Sequence, residues 1–231
     1  MRTEPADWSV LVTGGSSGLG AAVVATLAAS GATVASIDRH PGTHDLCVQA
    51  DLADTGAARA ATEQALALLD ERLDAVVCCA GIDSPGSLVD VDAEDWERIV
   101  AVNLFGTAAV IRTALPHLER SEGRIVTVAS TLGHRAVGDA TAYCASKFGV
   151  VGFTRALTAE LRGRVGVTLL TPGGMSTAFF DDRDEQYRPG PDACLAEPEQ
   201  VAATVAWCLG RPAGIEVREL VVMSPTESSW P

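Results

Sequence analysis

Strand-length apolar runs alternate with helical patterns along nearly all of the 231 residues. "WSVLVT" precedes a glycine-rich turn and "GAAVVATLAAS"; "ATVASID", the short "DLCVQA" and an alanine-rich helical stretch over 55–72 follow. "LDAVVCCAG" leads into a long helix starting near Ala93 with Asp92 as its cap, and "GRIVTVAS" into "ATAYCASKFGVVGFTRALTAEL". "VGVTLLTPGG" ends in a turn, "PEQVAATVAWCLGRP" reads as helix, and "RELVVMSP" is the last strand. Strands that are apolar at nearly every position need cover on both faces, which a parallel sheet with helical crossovers supplies. Right-handed crossovers then give an α/β doubly wound parallel sheet in three layers, a single domain over residues 1–231. No linker, repeat or low-complexity tract breaks the pattern. Ligands of such sheets bind beyond the carboxyl ends of the strands, where the strand order reverses.

Composition narrows the partners. Hydrophobic residues make up 47% and the net charge is −13, so a nucleic-acid surface is excluded and docking on anionic lipid disfavoured. The start lacks the features of a secretory signal, and the apolar runs look strand-length, short of a membrane span. Six scattered cysteines show no metal spacing and fit reduced thiols in a cytoplasm; Cys78 and Cys79 should point to opposite sides of a strand.

The first strand runs into "VTGGSSGLGAAV", with Gly14, Ser16, Ser17, Gly18, Leu19 and Gly20 in the turn. Glycines let backbone approach a pyrophosphate whose charge is stabilised by free N–H groups at a helix start, although tight strand-to-helix packing demands glycine too. Asp38 ends the second strand, where a carboxylate can accept from both ribose hydroxyls and repel a 2′-phosphate, or simply serve as a loop acid. Arg39 beside it could pair with that phosphate, whereas Ser17 in place of a basic residue favours NAD over NADP.

Tyr143 and Lys147 are four residues apart and share a helix face. Ser130 ends the strand before that helix, and Asn103 interrupts an otherwise apolar helix. An ordinary tyrosine, with a pKa of about 10, exchanges protons sluggishly at neutral pH. A cation one turn away should stabilise the tyrosinate and lower that pKa, while a serine hydroxyl holds a carbonyl oxygen and an asparagine orients a relaying water. Taken alone, Ser130 is equally a turn residue and Asn103 a satisfied core amide.

Thr13-Gly14-x-x-x-Gly18-x-Gly20, Asp51-Leu52, Asn103, Ser130, Tyr143-x-x-x-Lys147 and Pro172-Gly173 with Thr177 together resemble the compact, single-domain branch of the short-chain dehydrogenase/reductase family. The resemblance implies a Rossmann fold, an NAD or NADP cofactor and hydride exchange between nicotinamide and a secondary alcohol or ketone. It implies Asp51 and Leu52 along the adenine, Lys147 also on the nicotinamide ribose, and Pro172, Gly173, Met175 and Thr177 around the nicotinamide. Tyr143 would be the proton donor or acceptor and Ser130 would orient the substrate. Where the family usually shows Asn-Asn-Ala-Gly, this chain has Cys78-Cys79-Ala80-Gly81, whose backbone from Cys79 to Gly81 can still pass the adenosine ribose. The two thiols are expected to be a buried, inert pair.

Residues 173–194 should cap the pocket, with Met175, Phe179 and Phe180 as an apolar wall. Asp181, Asp182, Asp184 and Glu185 read as a solvated run; facing the mouth, they would repel a phosphorylated carrier. The expected substrate is a small neutral ketone or alcohol. A 3-oxoacyl thioester on acyl carrier protein or coenzyme A is the alternative, and a dinucleotide-binding sensor without catalysis belongs to another class. His134 and Arg135 read as loop residues facing water, and Trp230 as a ring that docks on its own fold or on a neighbour. The resemblance implies a homodimer or homotetramer; no metal is expected.

Overall fold

Seven strands, β1 Ser9–Thr13, β2 Thr33–Asp38, β3 Cys47–Gln49, β4 Ala75–Cys78, β5 Arg124–Val128, β6 Gly166–Pro172 and β7 Glu219–Val222, form one sheet in the order β3-β2-β1-β4-β5-β6-β7. Every neighbouring pair is parallel. The structure is a computed structural model that describes residues 7–42 and 44–230. Helices α1 Gly18–Ala29, α2 Thr55–Leu68, α3 Ala93–Val100, α4 Thr107–Ser121, α5 Thr141–Glu160 and α6 Pro198–Leu209 connect the strands. This is the doubly wound, three-layer Rossmann-type sheet that the apolar strands demand.

Alternation along each strand fills two cores. Leu11, Ile37, Val76 and Ile125 pack under α2 and α4, whereas Val10, Val12, Val77 and Val126 pack under α1 and α6. Each such side chain, fully buried, is worth roughly 1.5–3 kcal/mol of transfer free energy. Cys78 joins the first core and Cys79 packs against the second, on opposite sides of the sheet as the pleat requires.

Three local expectations are corrected. The helix expected over 55–72 stops at Leu68, because Asp70 and Glu71 turn left-handed (φ 51° and 58°). Asp92 stands before α3 with its side chain accepting no first-turn N–H, while the Asp54 side chain does cap α2, receiving Gly56 N at 2.7 Å and Ala57 N at 3.1 Å. Finally, α3 and α4 join through a π-helical segment, Ala101–Gly106, into one 29-residue run that is long and apolar enough to cross a membrane. Apolar runs are thus not all strand-length. The α4 part packs on α2, and Val110, Ile111, Ala114 and Leu118 face the core.

Glycine is obligatory at the turn from β1 into α1. A Cβ on Gly20 would collide with the Gly14 carbonyl oxygen, and one on Gly14 (φ 73°) would lie 2.8 Å from Ala80 N. Gly20→Ala should therefore lower stability by on the order of 1–3 kcal/mol, measured by urea unfolding. An unchanged midpoint would mean that this turn has slack.

Candidate active site

In the strand order, β2 and β3 lie on one side of β1, and β4 to β7 on the other, so the reversal falls between β1 and β4. The carboxyl ends of these two strands carry the glycine turn and Cys79-Ala80-Gly81. Ser17, at the start of α1, caps no N–H with its side chain, and the first turn holds no acid. The N–H groups of Gly18, Leu19 and Gly20 form an opening suited to an anion. Asp38 Oδ2 accepts Ser16 N at 3.0 Å and Oδ1 accepts His40 N at 2.9 Å. Each oxygen keeps a lone-pair direction for a ribose hydroxyl. Arg39 is exposed. Asp51 is ion-paired with Arg98 at 2.7 Å, and Leu52 is buried beside Gly106. These residues fit a dinucleotide laid from the β2 edge toward β4.

Across the cleft, Lys147 is buried and its Nζ donates to the Val128 carbonyl at 2.9 Å, tying α5 to the end of β5. The same ammonium lies 5.6 Å from the Tyr143 ring centroid. Ser130 accepts Leu132 N at 3.2 Å and hydrogen-bonds the Tyr143 phenol. Asn103 sits in the π-helical segment with its amide fully engaged: Oδ1 accepts Ile82 N at 2.8 Å, while Nδ2 donates to Ile82 O at 2.9 Å and to Ser146 Oγ at 3.0 Å. Ser146 in turn donates to the Tyr143 carbonyl at 2.8 Å. Asn103 therefore welds the β4 loop to α5.

The electrostatics differ from the spacing argument. Burial drives the Tyr143 phenol up to about 12, with the Ser130 hydrogen bond opposing the rise and Asp83 adding to it. Lys147 is not among the groups moving the phenol. Burial lowers Lys147 itself to about 8 against the pull of Cys79 and Asp83. The expectation of a cation-lowered tyrosine is thus corrected for the protein by itself, because desolvation of the ring outweighs an ammonium beside its face. Desolvation also raises both thiols, Cys79 to about 12, as inert thiols require; only Cys78 is buried, however, and Cys79 is half-buried, so the expected buried pair is corrected in part.

Pro172 ends β6, and Gly173 and Met175 lead into the cap, where Thr177 rests against Gly18. Phe179 packs on Tyr143 with ring centroids 5.9 Å apart and on Phe180 at 5.4 Å, the expected apolar wall. Asp181, Asp182, Asp184 and Glu185 are exposed. Three groups escape a reading by spacing. Arg183, the first cation in that acidic run, stacks on Phe179 and Phe180 and reaches Asp83 at 2.7 Å. Glu227, in the tail, accepts Gly174 N at 2.8 Å and Ser229 N at 3.0 Å. His134 does not face water: its Nε2 meets Thr171 Oγ1 at 3.0 Å and its ring packs edge-on against Trp230 of the same chain at 5.3 Å. Arg135 is exposed and donates to the Ser228 carbonyl at 2.8 Å. The position of Asp83 directly after Gly81-Ile82 was the available signal for the first of these groups.

Residues 9–188 match the short chain dehydrogenase family model. The chain is 34% identical to (3R)-3-hydroxyacyl-CoA dehydrogenase of Mus musculus, covering 88% of this chain and 90% of that protein. It is 36% identical to D-threitol dehydrogenase of Mycolicibacterium smegmatis, covering 85% and 84%. Among solved structures, 3-ketoacyl-(acyl-carrier-protein) reductase from Brucella melitensis, complexed with NADH, superposes with a TM-score of 0.83 at 28% identity, over 95% of this chain and 97% of that one.

The most easily lost proton of the pair is that of Lys147, at about 8. Alcohol oxidation, which needs the pair one proton short, should rise with pH through about 8, and ketone reduction, which needs it full, should fall over the same range. Log kcat/KM against pH in both directions tests this, and a profile flat from about pH 6 to 10 would overturn it.

Proposed function

This chain belongs to the short-chain dehydrogenase/reductase family, and from that premise we propose that Tyr143, Ser130 and Lys147 interconvert a small neutral secondary alcohol and its ketone with NAD as the preferred cofactor. It is an NAD(P)-dependent oxidoreductase acting on hydroxyl and keto groups. The observation that carries the finer reading is the buried Tyr143 held between Ser130 and the Phe179 wall, with Lys147 behind it.

Bound dinucleotide supplies or accepts the hydride. Gly14, Ser16, Ser17, Gly18, Leu19 and Gly20 would hold its pyrophosphate; Asp38 and Arg39 would flank the adenosine ribose, Asp51 and Leu52 would lie along the adenine, and the backbone of Cys79 to Gly81 would pass the adenosine ribose. Lys147, Pro172, Gly173, Met175 and Thr177 would seat the nicotinamide end. In ketone reduction Ser130 donates to the carbonyl oxygen and fixes it within reach of Tyr143. The phenol, neutral at pH 7 as any tyrosine is and held further from ionisation by burial, then gives its proton to the oxygen that gains charge. Lys147, which holds the more labile proton nearby, would restore it through an intervening hydroxyl or water. Asn103 holds the Ile82 loop and α5 in register for these transfers. In oxidation the same steps run backward.

The relatives act on unlike substrates, a hydroxyacyl-CoA and a sugar alcohol by their names. The exposed acids of the cap favour the uncharged small molecule over a phosphorylated carrier. The 3-oxoacyl thioester remains the second reading, favoured by the hydroxyacyl-CoA and ketoacyl reductase relatives. Six free thiols support a reducing, cytoplasmic setting. Exposed Phe105 and Phe148 support a homodimer or homotetramer.

Tyr143→Phe should cut ketone reduction by at least about 100-fold while NADH binding, followed by fluorescence titration, stays within about twofold. Retained turnover would remove Tyr143 from the acid role. Asp38→Ala should weaken NADH and narrow its advantage over NADPH by about tenfold or more, read from the two kcat/KM values; an unchanged ratio would move the selectivity elsewhere.

A further inference from the structure

Asp83 and Arg183 are a hundred residues apart in the chain, yet meet at 2.7 Å beneath the cap. The Asp83 side chain is 5% exposed and that of Arg183 14%. Neither is saturated. Asp83 Oδ1 and Arg183 Nε are buried with no hydrogen-bond partner, the two side-chain atoms in that condition among the described residues, and the Ser84 backbone N–H supports the Asp83 carboxylate from its own loop. A buried donor or acceptor left unmade costs about 1–3 kcal/mol, more for a charged group. Unsatisfied buried groups of this kind call for an explanation, such as strain, a bound water or ion, or a role at a functional site.

Their place ties them to the reaction. Both act electrostatically on Tyr143, Asp83 also acts on Lys147, and the Arg183 guanidinium lies 4.7 Å from the Phe179 ring that covers Tyr143. A substrate carbon seated at Tyr143 therefore has this pair, with Lys147, among its charged neighbours. The two open positions are one acceptor and one donor on partners whose charges cancel. A carboxylate or phosphate would be drawn to Arg183 but repelled by Asp83, and an ammonium the reverse. A neutral hydroxyl, which donates and accepts at once, matches both.

Resting on the reading of this site as a ketone and alcohol oxidoreductase, we propose that Asp83 and Arg183 read a hydroxyl adjacent to the reacting carbon, so that the substrates are hydroxyketones and vicinal diols. The hydroxyl donates to Asp83 Oδ1 and accepts from Arg183 Nε when Phe179 yields its place on Tyr143. Simple ketones leave both atoms unpaired and bind worse, the asymmetry by which sites built for a hydroxyl reject analogues without one.

The test is steady-state reduction by the full chain with NADH of acetoin, 2-butanone and acetoacetate, which share a methyl ketone and differ in the neighbouring group. The wild-type kcat/KM should favour acetoin over 2-butanone by at least about 100-fold. In Asp83→Asn and, separately, Arg183→Gln that ratio should collapse toward unity, while Asp182→Asn, an exposed acid of the same cap, should keep it. A wild-type ratio near unity, a ratio retained in both variants, or acetoacetate surpassing acetoin would each overturn the inference and leave the ketone-reductase reading standing. The wild-type ratios decide even if one variant does not fold. Failure to reduce any of the three, or a wider ketone panel, with NADH binding intact would instead bring down both the reading and the inference.

Discussion

A single ammonium buried in the fold sets the geometry of everything around it. Lys147 is nearly inaccessible, and its Nζ donates to the Val128 carbonyl, the last residue of β5. That bond fixes the rotation of α5 and so aims Tyr143, one turn earlier, across the carboxyl end of the sheet toward Ser130. It also keeps a cation where desolvation is expensive, and the ammonium responds by releasing its proton more readily. The fold thus spends stability to hold a labile proton beside a phenol that burial keeps protonated.

Opposite α5, the π-helical turn at Ala101–Gly106 does complementary work. A π turn adds one residue to a helical turn and so re-aims a side chain without breaking the helix. Here it buries Asn103 against Ile82 and Ser146, two partners that belong to different elements. The Asn103 amide therefore spans the cleft from the β4 loop to α5, and Ser146 extends the link to the Tyr143 backbone. The chain Ile82–Asn103–Ser146–Tyr143 joins the loop after β4 to the residue proposed to exchange the proton.

Much of this is legible in the sequence, and what is not has physical causes. Continuous apolar strands such as "WSVLVT" admit no stable home but a sheet covered twice, so the architecture follows from pattern. Helical spacing placed Tyr143 beside Lys147, and the glycines announced the turn because no other residue fits against Ala80. Spacing carries no information on burial, however, and so it points the Tyr143 shift downward where desolvation drives it up. "VAVNLFG" shows nothing of an extra residue in a turn, since a π segment leaves no periodic trace. The meeting of Asp83 with Arg183, and of Trp230 with His134, joins distant parts of the chain and exists only once the sheet has brought them together.

The two sides of the pocket are held by different means. On the nicotinamide side the tail returns over the sheet: Glu227 accepts from Gly174 and Ser229, Ser229 reaches Thr131 at 2.7 Å, and Trp230 leans on His134. One short segment thereby braces both the turn after β6 and the loop that carries Ser130, and it does so with bonds that are fully made. The cap side is held by Asp83 and Arg183, whose bonds are only half made. A saturated brace preserves geometry, whereas an unsaturated one has capacity left for a ligand. On the proposed reading, position of the reacting atoms would belong to the tail and the Asn103 weld, and choice of substrate to the cap.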